Sequence, residues 1–185
     1  MVKQVLKEAE DKMKRSVDGF RKELAGLRAG RATPAILEKV TVDYYGTPTP
    51  VNQVGTITVP EPRLLVIQPW DKTLIPAINK AIMKSDIGIT PVADGNVIRL
   101  AVPQLTRERR LDLVKGIKKK AEEERVSIRN IRRDAIQEIK DAEKDGDVPE
   151  DQSRKGQDDV QKLHDRFMKE IDQVVDAKEK EIMEV

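Results

Sequence analysis

Arginine is the residue type in this chain best placed to do chemistry, and its chemistry is the recognition of anions. Lys118, Arg125, Arg129, Arg132 and Arg133 recur at spacings that return to one flank of a helix. With Ile128 as origin, they fall between about 40° and 140° on a helical wheel. Glu123, Glu124, Asp134, Glu138 and Asp141 fall between about 220° and 320° on the opposite flank. Glu122 alone crosses to the basic side. A guanidinium fork matches two oxygens of a phosphate, so a folded RNA is the natural partner of such a flank. On spacing alone the same flank also reads as a solvated face balanced by acids of neighbouring helices, because long helices often sort their charges. Four arginines to one lysine incline the pattern towards specific anion contact.

Covalent chemistry has little to work with. The chain has no cysteine and a single histidine, His164. A metal site at His164 would need distant ligands, and the spacing predicts a surface histidine. No glycine-rich phosphate loop, dinucleotide fingerprint or nucleophile elbow occurs. An enzyme with its site in the middle of the chain would need convergent polar residues, and that region offers only the scattered Asp43, Asp71, Asp86 and Asp94. No catalytic residue, metal or cofactor is expected.

The elements that must carry the arginines are long helices. Leu6, Ala9, Met13, Val17, Phe20, Leu24 and Leu27 step by three and four, which predicts one helix over 2–29, weakened at Gly19 and Gly26 and stopped by Gly30 and Pro34. A second helix should start after an N-cap at Thr106. It carries Val114, Ile117, Ala121, Ile128, Ile131, Ala135 and Ile139 on its apolar stripe, and Gly146 ends it. Asp147 and Glu150, with Pro149 in the first turn, suggest a capping box opening a third helix. The third stripe is Val160, Leu163, Phe167, Ile171, Val174 and Ile182. Three long helices with narrow apolar seams bury them most economically against one another as a bundle.

Residues 35–103 change period. Val40–Tyr44, Thr56–Val59, Leu64–Ile67 and Val97–Leu100 are short, β-branched runs bounded by Gly, Pro or Asn. A helical stretch from Ile75 to Met83 lies between the third and fourth. Tyr44–Pro50 reads as a strand ending in a stiff turn, either a structural corner or a rigid loop offered to a partner. Trp70 reads as a core or hinge-packing residue. The fold class expected is α+β: an antiparallel bundle of residues 1–30 and 105–185, interrupted by a β/α/β insert of residues 31–104. Two short connections join the parts, Gly30, Arg31, Ala32, Thr33 and Pro34 on one side and Val102, Pro103, Gln104, Leu105 and Thr106 on the other. A double connection restricts the insert mostly to swinging about an axis through both linkers.

Charge supports this division. The net charge of +2 conceals +4 over residues 1–31, zero over 32–104, +3 over 105–145 and −5 over 146–185. A polyanion would meet the two basic segments and avoid the acidic end. Aromatics are only 3% of the chain, so the core must be aliphatic, as long helices prefer. No signal peptide or membrane-length apolar run is visible, and a soluble cytoplasmic protein is expected.

Five segments in order resemble bacterial ribosome recycling factors: Leu27–Pro34, Tyr44–Pro50, Leu105–Arg110, Arg129–Asp134 and Gln157–Leu163. Each is weak alone, but together they run nearly end to end. Ala29 and Arg107 stand where threonine and glutamate are typical of that family. The resemblance implies an L-shaped monomer of two domains joined by a hinge. It implies a factor that binds the ribosome after release at the stop codon and, with elongation factor G and GTP hydrolysis, separates the subunits. It further implies that the bundle contacts large-subunit ribosomal RNA through Arg28, Arg31, Arg110, Arg129, Arg132 and Arg133, to which the wheel adds Arg125. The insert would face elongation factor G. A coiled-coil chaperone or scaffold, binding proteins along its helices, is the rival reading from another class.

Overall fold

The computed structural model describes residues 1–27 and 30–184. It contains four α-helices, α1 (Val2–Ala25), α2 (Ile75–Lys84), α3 (Arg107–Lys144) and α4 (Glu150–Met183). Six strands accompany them: β1 (Thr41–Tyr44), β2 (Thr47–Pro50), β3 (Gly55–Glu61), β4 (Leu64–Pro69), β5 (Pro91–Asp94) and β6 (Val97–Ala101). The chain forms two compact units, one made of Met1–Leu27 with Glu108–Glu184 and the other of the chain between them.

The first unit is a three-helix bundle. Side-chain pairs fix its directions. Ser16 lies 3.2 Å from Ser127 and Glu23 2.8 Å from Lys120, so α1 and α3 run antiparallel. Glu10 pairs with Arg166 at 2.7 Å, and Val2 packs at Gly156, so α1 and α4 run parallel. The seam is the one the apolar steps require. Ala9, Met13, Val17, Phe20 and Leu24 of α1 meet Ile117, Ala121, Ile128, Ala135 and Ile139 of α3 and Val160, Phe167 and Ile171 of α4 in the buried core. Val5 rather than Leu6, and Val175 rather than Val174, is the fully buried neighbour at the two places where adjacent apolar residues compete.

The helix ends correct two expectations. α1 stops at Ala25, with Gly26 as its cap, and does not run to 29. No capping box opens α4. Pro149 is the N-cap, with no side-chain hydrogen bond, and Glu150 is the first helical residue. Asp147 is committed to the preceding helix. Gly146 takes φ +80, its amide donates to Glu143 O at 3.0 Å, and the Asp147 amide donates to Ala142 O at 2.9 Å. This six-to-one closure uses Asp147 as the last residue of the α3 turn, two positions too early to cap α4.

The second unit is an antiparallel sheet of order β3-β4-β6-β5 with α2 packed against it, plus a separate β1–β2 hairpin. Alternation along the central strands turns Leu65 and Ile67 of β4 and Ile98 and Leu100 of β6 into a core with Ile78 and Ile82 of α2. Gly55 opens β3 opposite Pro69, and a Cβ there would stand 2.7 Å from Gln68 O. Two strands escaped the sequence patterns. β2, Thr47-Pro48-Thr49-Pro50, lacks half its amide donors and pairs only with β1, the edge situation in which proline is tolerated. β5 likewise begins on a proline at a sheet edge. Trp70 is not a core residue: it is 71% exposed. Leu65, Ile67 and Pro69 point inward along β4, so the next position points out, and the Trp70 amide donates a hydrogen bond to Val54 O at 3.1 Å.

Candidate nucleic-acid interface

Folding sorts the arginines of α3 into different classes. Arg125 is committed inside the bundle. Its Nη2 donates to Asp172 Oδ1 of α4 at 2.8 Å and its Nη1 to Glu122 Oε2 at 3.4 Å, and its side chain is 25% exposed. The hydrogen bond to Asp172 raises its pKa further above its already high value. Glu122, the acid on the wrong flank, also accepts from Arg129 Nη1 at 3.0 Å. That bond, ahead of the contact with Arg125, lowers its carboxyl below the ordinary range. Asp172, Arg125, Glu122 and Arg129 thus form a ladder of alternating charge along α3 and onto α4.

Beyond this ladder the flank opens. Arg133 is 73% exposed, with only Asp134 Oδ1 at 3.7 Å from its Nε. Arg132 is half-buried at the α3–α4 groove. Its Nη1 reaches Gln161 Oε1 at 3.5 Å and His164 Nε2 at 3.4 Å. Neither contact is to a carboxylate; the Asp165 carboxylate, bonded to both Gln161 and His164, stands behind them and feels the Arg132 charge. Lys118 is exposed about two turns before Arg125. Arg110, near the start of α3, donates from Nη1 to Met183 O at 3.5 Å, at the last turn of α4. Arg31 is exposed in the second unit, and Arg28 lies outside the described residues.

His164 departs from expectation. Its side chain is only 12% exposed, wedged where α4 meets α3, with Nδ1 2.8 Å from Asp165 Oδ1. That bond is the first cause, and one from Gln161 the second, of a lowered Asp165 pKa. The sequence signal was available only as a histidine beside the Leu163 seam position. Lys178 was missed altogether. It occupies a seam position of α4, is 9% exposed, and donates from Nζ to Leu27 O at 3.1 Å, just past the end of α1. Among the described residues, no group of three or more His, Asp and Glu is arranged to hold a metal ion, and no helix is long and apolar enough to cross a membrane.

The linker residues divide as well. The Ala32 amide donates to Pro62 O and the Val102 amide to Arg63 O, each at 2.8 Å. Both side chains belong to the core of the second unit. The two connections are therefore tied to adjacent carbonyls of the β3–β4 turn. Thr33 and Pro34 open a short 3-10 helix. Gly30 takes φ +79, a conformation that favours glycine. Pro103 and Gln104 are exposed, Leu105 half-buried and Thr106 exposed.

These features match known proteins over the whole chain. The family model described as Ribosome recycling factor matches residues 20–183. The chain belongs to the ribosome recycling factor family. Relatives named ribosome-recycling factor in Desulforamulus reducens and Syntrophomonas wolfei are 65% and 61% identical, each aligned over all of this chain and all of the relative. A solution structure of a ribosome recycling factor superposes with TM-score 0.81 at 44% identity, covering 100% of this chain and 98% of that one. Another match, with TM-score 0.65 at 42% identity and 98% coverage of both chains, comes from models for the T. thermophilus ribosome recycling factor and the E. coli elongation factor G bound to the E. coli post-termination complex. The bundle with an inserted sheet unit is thus the family's architecture, and the arginine flank of α3 lies within the matched region.

Proposed function

We propose that this chain binds the post-termination ribosome in the cytoplasm and, with elongation factor G and GTP hydrolysis, separates the subunits without covalent chemistry of its own. The observation that carries this reading is the full-length likeness to ribosome recycling factors, one of them described in models with elongation factor G bound to such a complex. The bundle contributes RNA contact. Arg129, Arg132 and Arg133 present cationic heads on one flank of α3, with Arg28, Arg31 and Arg110 as further contacts to large-subunit ribosomal RNA. Arg125 is assigned a different part, holding α3 to α4, because two carboxylates occupy its guanidinium. The second unit, carrying the exposed Tyr45 and Trp70, is the part that meets elongation factor G. Its two connections act as the hinge. Because Ala32 and Val102 are fixed to the β3–β4 turn, movement concentrates at Gly30, Arg31 and Pro103–Thr106.

The test is a subunit-splitting assay on post-termination ribosomes. Light scattering should fall only when the protein, elongation factor G and GTP are all present, and a non-hydrolysable GTP analogue should abolish the effect. A protein that binds ribosomes but leaves scattering unchanged with all components present refutes the reading. Failure to sediment with ribosomes would favour the scaffold alternative.

A further inference from the structure

We propose that His164 is a positioning residue that holds Arg132 for RNA contact, an inference that rests on the reading of Arg132 as an RNA-contacting residue. Hydrogen-bond polarity decides the arrangement. A guanidinium has only donors, so His164 Nε2, 3.4 Å from Arg132 Nη1, must present its lone pair. The Asp165 carboxylate has only acceptors, so Nδ1, 2.8 Å away, carries the proton. The neutral Nδ1–H tautomer is the one form that satisfies both neighbours, and it leaves the Gln161 Nε2 amide, 3.3 Å from the same Nδ1, to donate to Asp165 Oδ1 instead. Gln161 completes the cradle: its Nε2 donates to Asp165 Oδ1 at 2.9 Å while its Oε1 faces Arg132 Nη1 at 3.5 Å.

The consequence for Arg132 is geometric. One guanidinium nitrogen is taken by two neutral acceptors of α4, and the imidazole that supplies one of them is locked by burial and by Asp165. Nε and Nη2 make no contact with these two acceptors and are left for a phosphate. A carboxylate in place of His164 would bond Arg132 directly and neutralise more of the charge that phosphate needs than Asp165 does from behind His164 and Gln161. A neutral acceptor orients without neutralising, as supporting groups around a binding site do when they restrict a long side chain before the ligand arrives.

A double-mutant cycle on ribosome affinity at fixed salt tests this. Arg132→Ala should weaken binding markedly. His164→Ala should weaken it about three- to tenfold, the effect of one or two modest hydrogen bonds. In the Arg132→Ala background the His164→Ala effect should vanish. His164→Gln, whose Oε1 replaces Nε2 as an acceptor, should restore most of the affinity. A His164→Ala penalty that persists in full without Arg132 overturns the inference and marks the histidine as merely structural. Normal binding by His164→Ala while Arg132→Ala is impaired overturns it too. Normal binding by Arg132→Ala alone would instead remove the underlying RNA-contact reading, and the inference with it.

Discussion

Arg125 and Arg133 lie about two turns apart on one flank of α3, yet they should fail in different assays. Arg125→Ala removes the 2.8 Å bond to Asp172 across the α3–α4 interface and the 3.4 Å contact to Glu122. The pair is partly screened, since the Arg125 side chain is 25% exposed and Asp172 59%. The loss should therefore be about 1 kcal/mol, the upper end for ion pairs at a surface. Glu122 keeps Arg129 and adds little. For a chain of this size that corresponds to a fall of roughly 2–4 °C in the helical melt followed by circular dichroism at 222 nm. Ribosome affinity should change less than about twofold, since that charge is already neutralised within the bundle. Arg133→Ala reverses the pattern. A 73% exposed side chain whose nearest carboxylate is 3.7 Å away contributes within about 0.5 kcal/mol to stability. It should cost about 1.5–3 kcal/mol of binding, roughly ten- to a hundredfold, and make the logarithmic salt dependence shallower by about one unit. An Arg125→Ala protein that melts normally but binds weakly would refute the division, as would an Arg133→Ala protein that binds normally.

Three further outcomes follow from individual contacts. Glu124 sits among buried positions of α3, and its carboxyl is raised above the ordinary value by burial first and by the Glu23 charge second. The folded chain therefore disfavours the ionised form: the penalty is present at neutral pH and is relieved as pH falls through the raised value. Glu124→Gln should gain about 0.5 kcal/mol at pH 7, the scale of a like-charge pair, and the gain should disappear near pH 4 in urea titrations. Lys178→Met keeps the buried stem but leaves the Leu27 carbonyl without its 3.1 Å ammonium donor, and should lower the bundle's stability by about 1–2 kcal/mol, measured by chemical denaturation. Tyr45 is 87% exposed at φ +51, so Tyr45→Asn should leave the β1–β2 turn more stable by about 0.5–1 kcal/mol in the unfolding of the second unit, asparagine being the better occupant of that conformation.

What could be read from the sequence was whatever depends on near neighbours. The steps of three and four from Ala9 to Leu24 and from Ile117 to Ile139 state which helix face is buried, because a helix repeats within a few residues. The change of period after Pro34, and the four β-branched runs, locate the inserted unit for the same reason. What stayed hidden depends on distant partners or on competition. Asp147 looked like a cap until the α3 closing turn claimed it. Thr47–Pro50 looked like a turn because its prolines weaken a ladder that only β1 completes. Trp70 is apolar enough for a core, but strand alternation turns it outward. At the candidate interface the arginines were visible as a flank, but not their division of labour. Arg125 meets an acid 47 residues away and Arg132 a histidine 32 away, and no local pattern announces either.

That division changes what the basic flank means. Counting cations on the wheel treats Lys118 through Arg133 as one strip of positive charge. In the folded bundle, Asp172 and Glu122 offset part of the charge of Arg125 and Arg129, so the strip is weakened in its middle, although Arg129 stays exposed. Arg133 meets only the longer 3.7 Å contact with Asp134, and the groups bonded to Arg132 are Gln161 and His164, with the Asp165 carboxylate behind them. On the proposed reading, a phosphate is therefore drawn most strongly to the Arg132–Arg133 end of the flank. The ladder's contribution is to fix α3 against α4, and it is that fixed groove, with Gln161 and His164 on its far wall, that sets where the Arg132 fork can point. Glu122 looked like an exception to charge sorting, but it is the residue that joins Arg125 to Arg129 along α3.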